Sequence, residues 1–430
     1  MSIWSSLYTG RSGLTAYGDA INVVGDNIAN VSTVGFKSGS ANFNDILGQR
    51  TGGGQNLGAG VKMGSVSQAF GQGSFLQSGG SLDYAIQGGG FFEVVGENDG
   101  IEGSYYTRNG RFSLNNEGLM VNQDGLRVQG YQVDANGDAT GGVGNIEIGG
   151  QSPPVATTIA DMNFNLDLDP DQVPVGVAFD PLDPEATSDL QTDMTVYDSL
   201  GNPHDVDLYF TQSGAGAWEW HAMVDGAELN GGTPGTPTEI ADGTLTFDTN
   251  GLLDTETLNA SSADFLGATP GQAIQFDFGE AITTDGGDGT GATTQVAGGF
   301  STNSIDQDGR EPGDLIDVIT AENGTVSGLY SNGETEPLAV LALASFRAPE
   351  NLRREGDQLW SASRDSGQAL LGEAGTSGRG SIASGALEGS NVDLGDELVT
   401  LIAYQRAFQA NARTISTADE MLTEVNNLKR

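Results

Sequence analysis

The two ends of the chain carry the same heptad signature, and they bracket a long middle that has none. Near the start, Ile3, Gly10, Tyr17, Val24 and Val31 recur every seven residues, with Leu7, Leu14, Ile21 and Ile28 between them. Apolar residues alternating four and three apart form the seam of a coiled coil. Near the end, Leu394, Leu401, Phe408, Ile415 and Leu422 repeat the period, and Leu398, Tyr404, Ala412, Ala418 and Val425 widen the stripe. A helix lying on a globular core drifts towards a 3.6-residue period, whereas both segments keep a strict seven. Neither contains proline. The spacing predicts two helices of roughly 40–55 Å each, at a rise of 1.5 Å per residue. Gly35 offers a left-handed stop to the first, and Ser390 with Asp393, or Asp393 with Asp396, caps the second. One two-helix seam is a thin core for elements this long, so both are expected to become ordered against neighbouring molecules. Gly10, inside the first seam, has no explanation in the heptad pattern.

The middle reads as β structure. Of 430 residues 66 are glycine, with no collagen-like period, so glycine marks turns between many short strands. Residues 81–150 hold AIQGGGFFEVV (85–95) and YYTRNGRFSLNNEGLMVNQDGLRVQGY (105–131), whose Asn-Gly and Asp-Gly steps are hairpin markers. Residues 314–347 follow the same style, and Leu338–Phe346 suits a buried strand, being far short of the ~20 residues a membrane span needs. Residues 151–300 differ: a proline-studded acidic stretch at 167–184, strands such as 194–210, 217–224 and 244–253, and TTDGGDGTGATT at 283–294, expected to be a flexible linker. The fold class expected is multidomain and mainly β, with coiled-coil helical termini and one β-rich domain inserted in another. The divisions are 1–35 with 391–430 as the helical part, 36–80 with 375–390 as an extended linker region, 81–150 with 301–374 as the middle domain, and 151–300 as the insertion.

Charge and composition exclude several functions. The net charge is −41, with +1 in residues 1–80, −2 in 391–430 and −40 between them, where there is no lysine. Nucleic acid is not an expected partner, because phosphate binding needs a basic surface. Such a surface keeps a crowded protein soluble and suits a saline medium. The absence of cysteine excludes disulfides, thiol nucleophiles and thiolate metal sites. The first 18 residues lack the basic and continuous apolar regions of a secretory signal, so export without a cleaved signal is expected.

No constellation for catalysis emerges. Asp167, Asp169 and Asp171 suggest a calcium loop, but Gln172 and Ala178 stand where that loop needs glycine and glutamate. The run 286–291 resembles a calcium-binding nonapeptide but occurs once. His204 and His221, 17 residues apart with Asp205, Asp207 and Asp225 nearby, read as ordinary histidines of a β domain rather than as metal ligands. There is no G-x-S-x-G elbow, and the glycine runs lack the lysine of a phosphate loop. No cofactor is expected.

The residues flanking the helices are more specific. Ala29-Asn30-Val31-Ser32-Thr33-Val34-Gly35-Phe36-Lys37 at one end pairs with Gly385 to Ser390, Asn391, Val392, Asp393 and Leu394 at the other. This pairing resembles the family of flagellar axial proteins, the rod and hook subunits. IQGGGFFEV, YTRNGRFSLNNEGLMV, VYDSLGNPHDVDLYF and LWSASRDSGQALLG are similar to its hook subunits, and the resemblance covers nearly the whole chain. It implies a self-assembling helical tube on the outside of the cell. The terminal helices would form inner tubes around an export channel and the β domains the outer layers. The implied partners are further copies of the chain, the rod, hook–filament junction and hook cap proteins, and the flagellar type III export apparatus. A distal rod subunit is the same-family alternative; it would lack the 151–300 insertion. A secreted β-rich adhesin or calcium-binding surface protein is the alternative of another class.

Overall fold

The computed structural model describes residues 3–50, 56–134, 137–167 and 175–427, which divide into two compact units. The first comprises Met1–Gly150, Ile316–Leu329 and Thr335–Arg430; the second comprises Gln151–Leu315 and Tyr330–Glu334.

In the first unit the heptad segments are helices α1 (Ile3–Ala29) and α3 (Leu394–Asn427). Strands β1 (Gly39–Arg50) and β2 (Asn56–Gln68) form an antiparallel hairpin packed on α1, so the 36–80 segment is hairpin more than linker. The β body centres on Phe91–Asn98, which pairs with Ile101–Thr107, Arg127–Val133 and Leu343–Ser345. Phe91, Tyr106, Ala344, Leu352 and Trp360 make its aromatic core, with Phe70 and Phe346 edge-on to the rings. The apolar run expected to form a buried strand is two, Thr335–Leu341 and Leu343–Ser345, and residues 339–344 are buried. Residues 375–390 are not a bare linker. Ser381–Ser384 pairs with Tyr84–Gln87, and Ala386–Glu388 pairs with Phe75–Gln77, so the returning chain is stitched to the outgoing one.

The second unit is a five-stranded antiparallel meander and a three-stranded sheet around one core. The meander runs Leu190–Tyr197, Pro203–Gly214, Ala217–Asp225, Pro237–Phe247 and Leu253–Ser261. Alternate residues point inward, as a half-buried sheet demands: Val206, Leu208 and Phe210 on one strand, and Trp218, Trp220 and Ala222 on the next. A single helical turn, α2 (Pro184–Thr187), precedes the first strand.

Two expectations about this unit are corrected. It extends beyond residue 300, because Ser301–Gln307 pairs with Ile159–Asn165. The 283–294 segment is packed and not a free linker: Ala292 and Thr293 are buried, Thr293 N donates to Phe278 O, and Thr294 N donates to Phe164 O. Its small residues are what permit that approach to the core. Of the calcium reading, Asp169, Asp171 and Gln172 lie outside the described residues, while Asp167 accepts a bond from Gly298 N. Asp288 turns back on Thr290 of its own loop. Each histidine is taken up separately. His204 stacks on Phe265 and reaches Glu228 at 2.6 Å, and His221 stacks on Phe179 and reaches Glu239 at 2.5 Å. Among the described residues no histidine–carboxylate group could hold a metal.

Candidate assembly site

The helix pair is antiparallel and close. A Cβ on Gly10 would sit 2.9 Å from Ile415 Cγ1, one on Gly13 would sit 2.5 Å from Asn411 Oδ1, and Gly18 faces Phe408. Glycine at 10 and 13 is therefore the condition for α3 to lie this near, which accounts for the position the heptads leave unexplained. Tyr17, Phe43 of β1 and Tyr404 form a three-ring cluster with centroids 5.2–5.9 Å apart, fastening the hairpin to both helices.

The most buried face of α1 is the small one: Gly10, Gly13, Ala16, Ala20, Val24 and Asn27. Of the seam residues expected from sequence, Val24 is buried, whereas Leu7, Leu14, Tyr17, Ile21 and Ile28 are half-buried. On α3, Leu401, Tyr404, Ile415 and Leu422 are half-buried against α1 and Ala418 is buried. Leu394, Leu398 and Phe408 are instead 45%, 44% and 38% exposed, and Val399 and Ile402 are more exposed still. The structure therefore divides the expected seam in two: one stripe, which includes the edge of Phe408 against Gly18, serves the intrachain pair, and the other, Leu394 and Leu398 with Val399 and Ile402, is exposed among the described residues. The side chains of Ile3 and Val425 lie outside the described residues.

The two flanking motifs meet. Ala29 ends α1 exposed; Asn30 turns back onto Asp26 and accepts from Thr33 Oγ1. Gly35 has φ +72, and a Cβ there would strike the backbone of Arg108 and Asn109, so both conformation and space require glycine. Its N–H donates to Glu388 O. Asn391 accepts from Ser38 N and donates to Ala69 O. Ser390 Oγ accepts from Val392 N, and Asp393 Oδ1 accepts from Gly395 N and Asp396 N, capping α3.

Phe36 and Lys37 are buried beneath this junction. Lys37 Nζ lies 2.6 Å from Glu388 Oε1 and Arg108 Nη1 lies 3.1 Å from Oε2; Gln72 Nε2 and Gly73 N also donate to this carboxylate. Burial pushes the Lys37 ammonium below the usual lysine value while Glu388 pulls it back, and burial lowers Arg108 in the same way. Sequence reasoning assigned no role to Glu388, Arg108 or Asn27. Asn27 bonds Gly39 through both its amide atoms and donates to Glu397 Oε1. A glutamate between Leu387 and Gly389 in an apolar segment was the one available signal.

A β chain whose two ends return together as a helix pair with an exposed apolar stripe has the form of a subunit that offers a helix face to a partner. Comparison with known families places that subunit in the flagellum. Residues 7–37 match the family model for flagella basal body rod protein, and 383–428 match the flagellar basal body rod FlgEFG protein C-terminal model. Residues 85–161 match the flagellar hook protein FlgE/F/G D1 domain, and 161–310 match the flagellar basal body protein FlaE D2 domain. The flagellar hook protein FlgE of Salmonella typhimurium is 37% identical over 97% of this chain and 98% of its own length. That of Escherichia coli is 36% identical over the same shares. A crystal structure of Helicobacter pylori flagellar hook protein FlgE2 aligns with 73% of this chain and all of its own, at 15% identity and a TM-score of 0.47. The chain belongs to the flagellar hook protein family, whose members are structural subunits of the flagellar hook.

Proposed function

We propose that the chain polymerises into a curved, flexible tube that carries motor torque from rod to filament and encloses the export channel. The terminal helices line the tube and the β units form its outer layers. The observation that carries this reading is the exposed stripe Leu394, Leu398, Val399 and Ile402 on a 34-residue helix. Apolar patches of this kind on a soluble chain mark interaction sites, and contacts that do not close on themselves extend into filaments. The subunit acts as a structural element and not as a catalyst. It leaves the cell unfolded through the flagellar type III apparatus without a cleaved signal, and meets rod, junction and cap proteins at the two ends of the tube; family membership supports these roles. Negative-stain microscopy of the purified appendage tests the reading, with short curved tubes the expected result. A chain lacking residues 400–430, or carrying Phe408→Asp, should keep folded β units and form no tubes. Tubes from the truncated chain would remove the helices from assembly.

A further inference from the structure

The outward faces of the two helices carry charges in matching order. On α1, Arg11 and Asp19 stand two turns apart on the face turned away from α3, beside the exposed Trp4 and Tyr8. On α3, Arg413 and Glu420 stand two turns apart on the side that carries the unpartnered Leu398 and Ile402. All four are exposed, and none has an ion-pair partner among the described residues. Asp26, further along the same face of α1, is already held by Arg354 at 2.6 Å.

Within the chain, Gly10 is level with Ile415, Gly13 with Asn411 and Asn27 with Glu397. A second antiparallel α3 laid on the outer face of α1 at that level would set Arg413 beside Arg11, a like-charge contact that offsets the pairing of Arg406 with Asp19. Sliding it by one heptad, about 10 Å at the helical rise, sets Glu420 opposite Arg11 and Arg413 opposite Asp19. The same shift brings Ile402 level with the end of α1 at Ala29. A groove is present for it, walled by Tyr8, Arg11, Thr15 and Asp19 of α1 and by Ile46 and Lys62 of the hairpin. Lys62 adds a second cation on the side where Glu420 would lie.

We infer that this groove receives α3 of a second copy of the chain, one heptad out of step with the intrachain pair, so that every α1 is clasped between its own α3 and a neighbour's. The inference rests on the proposed polymerisation and specifies the contact that propagates it. Charge order fixes the register here, as charges flanking a coiled-coil seam do.

The chain has no cysteine, so cross-linking starts from a clean background. Asp19→Cys with Arg413→Cys, oxidised after assembly, should give a ladder of dimers, trimers and higher species on a denaturing gel. The unassembled protein should stay monomeric. Asp19→Cys with Arg406→Cys tests the unshifted register and should give little ladder. Native tubes with a monomer band from the first pair, or a ladder only from the second, would overturn the inference and leave polymerisation standing. Absence of tubes from the native chain would overturn both. Should the cysteine pair itself block assembly, charge reversal decides. Arg11→Glu and Glu420→Arg should each raise the critical concentration about tenfold, equivalent to ~1.4 kcal/mol, and the double variant should restore it. Unchanged single variants, or a double variant no better than either, would sink the pairing.

Discussion

Lys37 and Glu388, 351 residues apart in sequence, meet at 2.6 Å with neither side chain exposed. Arg108 completes the site at 3.1 Å, so one carboxylate answers two buried cations. Replacing both partners of such a site by apolar residues can be tolerated, but removing one leaves a stranded charge. Glu388→Gln should therefore destabilise the first unit by about 3–5 kcal/mol, read as a lower urea midpoint. A midpoint within error of the native chain would mean that the backbone ladders alone hold the junction.

Gly10→Leu asks α1 to carry a side chain where Ile415 already lies. Overpacking of this kind costs about 1–3 kcal/mol, and here the helix pair can yield by separating. Amide exchange in α1 and α3 should speed up while the β body keeps its protection. Gly10→Ala combined with Ile415→Ala should recover much of the loss. Equal exchange in native and Gly10→Leu chains would show that the close approach is dispensable.

Glu256, half-buried beside Phe278 N, has its carboxyl pushed up to about 7, chiefly by burial and then by Asp277 and Asp285, against the pull of that N–H. Between the ordinary glutamate range and pH 7 the folded state holds a proton that the unfolded chain has lost, so stability falls as pH rises through that window. Glu256→Gln should flatten the slope. It should leave the second unit more stable at pH 8 by on the order of 1 kcal/mol, after discounting for solvent screening, and little changed at pH 5. Parallel melting curves across pH 5–8 for the two proteins would refute the assignment.

Asp193 and Asp207 are directly opposed across neighbouring strands, with Asp205 alongside. Like charges so placed destabilise a sheet, and burial followed by Asp193 raises the Asp207 carboxyl. Asp193→Asn should stabilise the second unit by about 0.5 kcal/mol at low salt, with the gain fading towards 1 M, where the screening length is ~3 Å. A gain independent of salt would point to packing instead.

What could be read from sequence follows from range. The heptads of α1 and α3 and the turns at Asp124-Gly125, Asn323-Gly324 and Asn332-Gly333 are local patterns that the structure carries. Asn109-Gly110 makes no hairpin, and the Gly110 carbonyl accepts from Tyr84 N instead. The phase of the seam was less legible: apolar periodicity scores Leu7, Leu14 and Ile21, yet Gly10, Gly13 and Ala20 face the partners, since closeness favours small residues that hydrophobicity overlooks. The 283–294 segment has the composition of a linker, but its burial depends on Phe164 and Phe278, far off in the chain. The role of Glu388, though the residue stands in the flanking motif, was illegible for the same reason; a charge is recognised as a junction only when Lys37 and Arg108 are seen around it.

The stitched return of the chain has a mechanical consequence. Twist entering through the helices reaches the β body of the first unit along two covalent strands, residues 30–38 and 389–393, tied together by Gly35 with Glu388 and by Ser38 with Asn391. Neither strand can be drawn taut without loading the other, so the joint works as a two-legged strap, which shares tension and resists rotation, where a single tether would act as a swivel.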